Sequence, residues 1–194
     1  MAAELTAVSY PLRFDVQYPE RLSRLLIFVK WLLAIPHLIV VYLLGIVSSL
    51  FMLIAFFAIL FTRRYPRGLF DFVVGVNRWS ANLTAYVGLL RDEYPPFSWE
   101  AGTYPVTYEV DYPEQLSRWL IFVKWLLIIP HVIVLYLLII VALVVWTVGW
   151  FAILFTGCFP RGMFDFVVGV LRWNYRVNAY TGLLRDEYPS FSLR

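Results

Sequence analysis

The chain carries a single cysteine, Cys158, in 194 residues. One thiol excludes an intrachain disulfide and a cysteine metal cluster. Charge is scarce as well: 15% of residues are Asp, Glu, Lys or Arg, where ordinary globular domains carry about a quarter. The net charge of +3 is spread thinly, with none of the clustered Lys/Arg that a nucleic-acid face requires. Signatures of catalysis are missing too. There is no nucleophile elbow, His-Glu-x-x-His, phosphate loop or pair of carboxylates at useful spacing, so no catalytic residue is assigned and the chain is not read as an enzyme. Met1 to Tyr10 lacks the basic n-region and short apolar core of a secretory signal.

What the chain has in excess is apolar surface. Apolar residues make up 61%, aromatics 19%, and mean hydropathy is +0.73, which places it in the membrane class. It is also duplicated. A shift of 94 residues superposes Tyr10–Glu100 on Tyr104–Arg194 without a gap, and on the order of three positions in five are identical. Under this shift Cys158 matches Arg64, so the duplicated fold does not call on the thiol. The division is a tail over residues 1–9, a first unit over 10–95, a linker over 96–103 and a second unit over 104–194. Tyr18-Pro19-Glu20 recurs at 112–114 and Arg91-Asp92-Glu93-Tyr94-Pro95 at 185–189. Like flanks choose like sides of a membrane; each unit is therefore expected to cross an even number of times.

Within each unit the pattern changes in a fixed order. Leu12 to Tyr18 and Val106 to Tyr112 alternate apolar and polar residues, the period of a half-buried strand. Two such strands are expected to meet at the membrane surface, since neither is stable alone. Leu22–Ile35 and Leu116–Ile129 read as interfacial helices stopped by proline. Arg24, Lys30 and Trp31, with Arg118, Lys124 and Trp125, are their expected anchors at the headgroups. Leu38–Phe61 and Val132–Phe155 hold no charge and are long enough to span a bilayer at about 1.5 Å per residue. A tight basic turn follows, then Leu69–Leu90 and its copy. These either cross the bilayer, which parity favours, or lie in the interface. With all four helices crossing, the excess of Lys/Arg puts both termini in the cytoplasm.

Few side chains suggest chemistry. Asp71, Gly75, Arg78 and Asn82 fall on one helical face, as do Asp165, Gly169, Arg172 and Arg176. Asp71 with Arg78, and Asp165 with Arg172, form a polar stripe that reads either as an ion or solute path or as structural neutralisation. Gly75 and Gly169 read as helix-packing positions. His37 and His131 would ligate a haem or act as a pH-sensitive pair if they faced each other; otherwise they are interfacial histidines. No cofactor and no metal is assigned. Asp92-Glu93 and Asp186-Glu187 read as solvated helix ends.

Tyr65-Pro66-Arg67-Gly68-x-Phe70-Asp71-Phe72-Val73-Val74-Gly75-Val76-x-Arg78-Trp79, with Ala85-Tyr86 and Asp92-x-Tyr94-Pro95-Pro96-Phe97, resembles the signature of the bacterial DUF4389 membrane proteins. Phe159 to Trp173, Ala179-Tyr180 and Tyr188-Pro189-x-Phe191 resemble it again. The resemblance implies a bacterial integral membrane protein and carries no catalytic or binding residue.

The expectation is an all-α membrane protein of two tandem pseudo-symmetric units. Each has an interfacial helix, a two-helix transmembrane hairpin and a short surface strand. Its expected setting is the bacterial cytoplasmic membrane. Its expected partners are lipids and either copies of itself or the subunits of a larger complex. The leading function is an accessory or scaffold subunit; a small transporter or channel and a membrane-shaping hairpin protein are the alternatives.

Overall fold

The computed structural model describes residues 10–194, so the tail over 1–9 lies outside the described residues. Two strands form, β1 (Leu12–Val16) and β2 (Val106–Val110). Leu12, Phe14 and Val16 turn inward while Arg13 and Asp15 face out, as a period of two dictates. The strands pair antiparallel with Phe14 opposite Tyr108. Those two residues are equivalent in the duplication, so a pseudo-twofold axis passes through that pair, normal to the sheet.

Among the described residues five helices follow the alternation of apolar runs and turns: α1 (Leu26–Thr62), α2 (Arg67–Val87), α3 (Leu120–Leu127), α4 (Ile129–Thr156) and α5 (Arg161–Thr181). The expected stop at Pro36 does not occur, because Pro36 lies inside the 37-residue α1. Continuing through proline forfeits one hydrogen bond and strains one turn, whereas ending the helix would orphan four carbonyls in an apolar setting. The Tyr94 hydroxyl helps by donating to the Leu33 carbonyl at 3.2 Å, in the turn before the proline. The second unit does break, at Ile128 between α3 and α4, where Tyr188 donates to Leu127 at 3.0 Å. A separate helix at the position expected for Leu22–Ile35 and its copy is therefore present only in the second unit. Left-handed residues end the long helices, Arg63 at φ 62° and Gly157 at φ 75°.

Each long helix folds back on its successor. Phe51 meets Phe72 at 4.9 Å and His37 meets Trp79 at 5.8 Å, so α2 runs antiparallel along α1; α5 does the same along α4. The strands are exchanged between units: α2 packs on β2, and α5 packs on β1. The intervening position of α2 and α5 explains why they are buried on most sides despite modest hydropathy.

The units are stitched at both ends of the long helices. The Leu22 amide donates to Gly157 and the Leu116 amide to Arg63, each at 2.8 Å. Phe28 meets Trp150 at 5.3 Å, and Phe56 meets Phe122 at 5.5 Å. The start of α1 thus lies beside the end of α4, and the end of α1 beside α3. A twofold operation reverses a helix only when the helix is perpendicular to the axis, so both long helices run across the pseudo-dyad. This overturns the arrangement in which the basic turns lie on one side of a bilayer and the strand-bearing flanks on the other. Arg63 and Leu116 are bonded to each other.

The core gathers Leu12, Phe14, Ile59, Tyr65, Phe70 and Phe164 between sheet and helices. The long helices behave in the opposite way, with Leu25, Tyr42, Phe61, Trp119, Tyr136 and Phe155 all at least 65% exposed. Leu26–Thr62 and Leu120–Thr156 are long and apolar enough to cross a membrane. Two glycines on these helices make opposite demands. A Cβ on Gly149 would sit 2.5 Å from the Phe159 ring, whereas one on Gly45 meets nothing within 4 Å. Gly149→Val should cost about 1–3 kcal/mol by overpacking, and Gly45→Ala should gain roughly 0.5–1 kcal/mol of helix stability. Thermal unfolding of the detergent-solubilised variants measures both.

Candidate functional site

The loop after α2 carries the densest polar chemistry. Leu89 at φ 62° turns the chain sharply, which presents Arg91, Asp92 and Glu93 to the first turns of α1. Lys30 Nζ donates to the Arg91 carbonyl at 2.6 Å and pairs with Asp92 Oδ1 at 2.8 Å. Asp92 Oδ2 accepts the Ser23 amide at 2.5 Å, and Ser23 Oγ accepts the Leu26 amide at 3.3 Å, which gives the first amide of α1 a partner. Arg91 holds Glu93 through two nitrogens and donates Nη1 to the Gln17 carbonyl at 2.8 Å. Tyr104 closes the hub by donating to the Glu93 carbonyl at 2.7 Å. Lys124, Arg185, Asp186 and Glu187 repeat the arrangement in the second unit.

Lys30 and Lys124 are thus not snorkelling anchors, being 1% and 2% exposed. A lysine whose own loop offers a carboxylate and a carbonyl loses less by staying inside than by abandoning both. Of the Asp-Glu pairs read as solvated helix ends, Glu93 and Glu187 are exposed, whereas the Asp92 and Asp186 side chains are only 24% exposed. The signal for this hub was present as a lysine and an Arg-Asp-Glu run at matched separation in both units, but separation alone does not tell contact. Of the other residues expected as anchors, Trp31 and Trp125 are 62% and 67% exposed, and Arg24 is exposed. Arg118 is half-buried and donates to the last-turn carbonyl of Phe61 at 3.0 Å, a favourable place for a cation.

His37 and His131 are fully buried, each within its own unit. Trp79 Nε1 donates to His37 Nδ1 at 3.0 Å, and Phe97 stacks on the imidazole at 3.8 Å between ring centres. Trp173 and Phe191 hold His131 in the same way, at 3.0 and 3.9 Å. The accepted bond leaves the proton of a neutral ring on Nε2, and both Nε2 atoms are enclosed without a partner. These residues do not fit a macrocycle, because axial ligation at Nε2 would require opening the aromatic packing. Among the described residues, no three His, Cys, Asp or Glu side chains group as a metal site.

The polar stripe divides into two structural functions. Arg78 donates Nε to the Tyr108 carbonyl at 3.0 Å and Nη1 to Trp99 at 2.7 Å. Arg172 donates to Phe14 at 2.7 Å and Leu193 at 2.9 Å, and pairs with Asp15 at 2.9 Å. The arginines therefore satisfy carbonyls on the otherwise open edges of a two-stranded sheet, each on the strand of the other unit. Asp71 and Asp165 turn outward to Arg67 and Arg161, one helical turn away. Gly75 and Gly169 do pack, but against the returning tail: a Cβ there would sit 3.2 Å from Trp99 and 2.9 Å from Leu193.

Two dyad-related polar clefts lie where the stripe meets the strands. One of about 590 Å³ holds Asp15, Arg161, Asp165 and Arg172; the other, about 390 Å³, holds Glu109, Arg67, Asp71 and Arg78. An apolar cleft of about 430 Å³ lies among α1, α2 and α4, lined by Leu38, Val41, Leu83, Val87, Leu143 and Trp146.

Electrostatics follow from this packing. Burial pushes the Tyr65 phenol up to about 12. Burial alone would raise Glu93 and Glu187, but the hydrogen bonds from Arg91 and Arg185 and from backbone amides outweigh it, so both carboxyls titrate below the usual range. A carboxyl with a depressed folded pKa stabilises the fold above its unfolded pKa, and that contribution is lost as pH falls through the folded value. Thermal stability should therefore drop below about pH 4, and the drop should flatten in Glu93→Gln/Glu187→Gln. Breaking the buried pair by Lys30→Met should cost about 3 kcal/mol, partly restored by adding Asp92→Asn, as read by thermal unfolding.

No curated protein and no solved structure matches the chain. The family described as Domain of unknown function (DUF4389) matches twice, over residues 24–98 and 118–192. The first match takes in α1 and α2, the second α3, α4 and α5, each with its Arg-Asp-Glu loop, and on these two tandem copies the chain belongs to that family.

Proposed function

We propose that the chain is a structural membrane protein, an accessory or scaffolding component that binds lipid through its long helices and works by assembly, not by turnover. The observation that carries this reading is the exposure of nearly the whole apolar length of α1 and α4, while the polar side chains that suggested chemistry are engaged in holding the fold. Arg78 and Arg172 cap strands, Lys30 and Lys124 close hubs, and the histidines lock helix to helix. An exposed apolar surface of this extent in a monomer calls for lipid or protein cover. Transport through the stripe is disfavoured because Asp71 and Arg78 do not meet and the clefts open beside the polar strands.

The test begins with expression and membrane fractionation. The chain should stay in the membrane pellet after high-salt and alkaline carbonate washes and leave it only in detergent; recovery in the wash would end the reading. Mild-detergent purification with mass analysis should then find co-eluting subunits or a defined homo-oligomer, where a bare monomer would count against a scaffold. In reconstituted vesicles, Asp71→Asn/Asp165→Asn should leave ion permeability unchanged, and a flux abolished by that pair would restore the transporter.

A further inference from the structure

The exposed face of α1 is longer than a bilayer crossing can use. Leu25, Leu32, Ile39, Ile46, Leu53 and Phe61 lie along it at steps of seven and eight, and each is 47% exposed or more. From Leu25 to Phe61 the stripe covers roughly 54 Å at 1.5 Å per residue, against a hydrocarbon core of about 30 Å. Fitting it inside the core by tilt would need an angle beyond about 55°, where membrane-spanning helices tilt up to about 40°. The stripe is apolar to both tips, since Leu25 is 80% and Phe61 72% exposed. The second unit has the same property, with Trp119 at 80% and Phe155 at 72%.

The symmetry points the same way. The long helices run antiparallel to one another and across the pseudo-dyad, and the sheet sits on that dyad with Arg13, Asp15, Thr107 and Glu109 facing outward. Were the helices upright, the dyad would lie in the membrane plane, and the sheet with its Arg13–Glu109 pair would sit at mid-bilayer against lipid, where charge is costly. With the dyad along the membrane normal, the helices lie flat. The layers then read polar sheet, then α2 and α5, then an apolar plate of α1 and α3–α4.

We infer that α1 and α3–α4 form a plate embedded in a single leaflet, lying along the membrane and not crossing it. Its partner surface is the acyl chains of that leaflet, rimmed by anionic headgroups. The inference deepens the membrane reading above and rests on it. Charge complementarity supports the rim: Arg21 and Arg24 stand at one end of the plate, and Arg63, Arg64 and Arg118 at the other, where they meet headgroup phosphates. Both units then face the same side, as their like flanks demand, without any crossing. A plate that fills one leaflet expands it relative to the other, which bends the bilayer toward the protein's side.

Depth measurement decides the matter. In a Cys158→Ser background, the six stripe positions from Leu25 to Phe61 are changed singly to Cys. Each is labelled with bimane and reconstituted in phosphatidylcholine–phosphatidylglycerol vesicles containing lipids brominated at different depths. Thr107→Cys, on the outward sheet face, is the seventh site. The plate predicts one depth for all six stripe sites, within about 5 Å and near the acyl–headgroup boundary, with Thr107→Cys unquenched. A profile that descends to mid-bilayer at Ile39 and Ile46 and rises to opposite surfaces at Leu25 and Phe61, a range of roughly 15 Å, overturns the plate while sparing the membrane reading. Absence of quenching at every site overturns both.

Discussion

The reciprocal bonds that join Leu22 to Gly157 and Leu116 to Arg63 govern the rest of the structure. They place the end of each long helix at the beginning of the other, and a twofold arrangement permits this only with the helices across the axis. From that follow the antiparallel long helices, the exchange of strands between units and the sheet centred on Phe14 and Tyr108. Neither unit closes alone. Its strand packs on the other unit's helix, and that helix's arginine satisfies the strand's open edge. The duplication therefore behaves as a fused dimer, in which the linker over 96–103 makes permanent an association whose surfaces each copy leaves incomplete.

Buried charge in this molecule serves placement. A lysine in an apolar layer is costly unless paired, and Lys30 meets that demand with Asp92, the Arg91 carbonyl and the Tyr86 ring 5.1 Å away. The gain is positional. Asp92 also accepts the Ser23 amide just ahead of α1, and Arg91 donates to the Gln17 carbonyl at the end of β1. One loop thereby fixes the strand, the start of the long helix and the end of α2 against each other. Because the cluster's charges are paired with one another, it offers little to an outside ligand, and the histidines are enclosed by tryptophan and phenylalanine.

Much of the fold was legible in the sequence, for physical reasons that can be named. Strand period, helix period and a repeat exact enough to align without a gap gave the two strands, the duplication and the apolar runs of the long helices. Strand pairing followed from the instability of lone strands. What was not legible was mostly relational. Pro36 looked like a stop because proline weighs heavily in a local reading, while the cost of four orphaned carbonyls in apolar surroundings is not local. Asp71 and Arg78 shared a helical face and suggested a path, but a shared face does not say what lies opposite; the strand of the other unit does. Lys30 and Asp92 are 62 residues apart, and no periodicity links residues at that distance.

The parity argument is instructive for the same reason. Like flanks on both units do require like sides, and the even number of crossings that this allows includes zero. Hydropathy measures whether a helix tolerates hydrocarbon, not the direction in which it enters. Direction is set by what else the chain must keep out of the hydrocarbon. Here that is a sheet with charged residues on its outer face, fixed to the dyad and held there by arginines that cannot leave without exposing strand carbonyls. An upright α1 would drag this sheet to mid-bilayer; a flat α1 leaves it in water. The cost of burying the sheet thus sets the direction of the helix, because the apolar stripe also meets acyl chains when it lies along a leaflet.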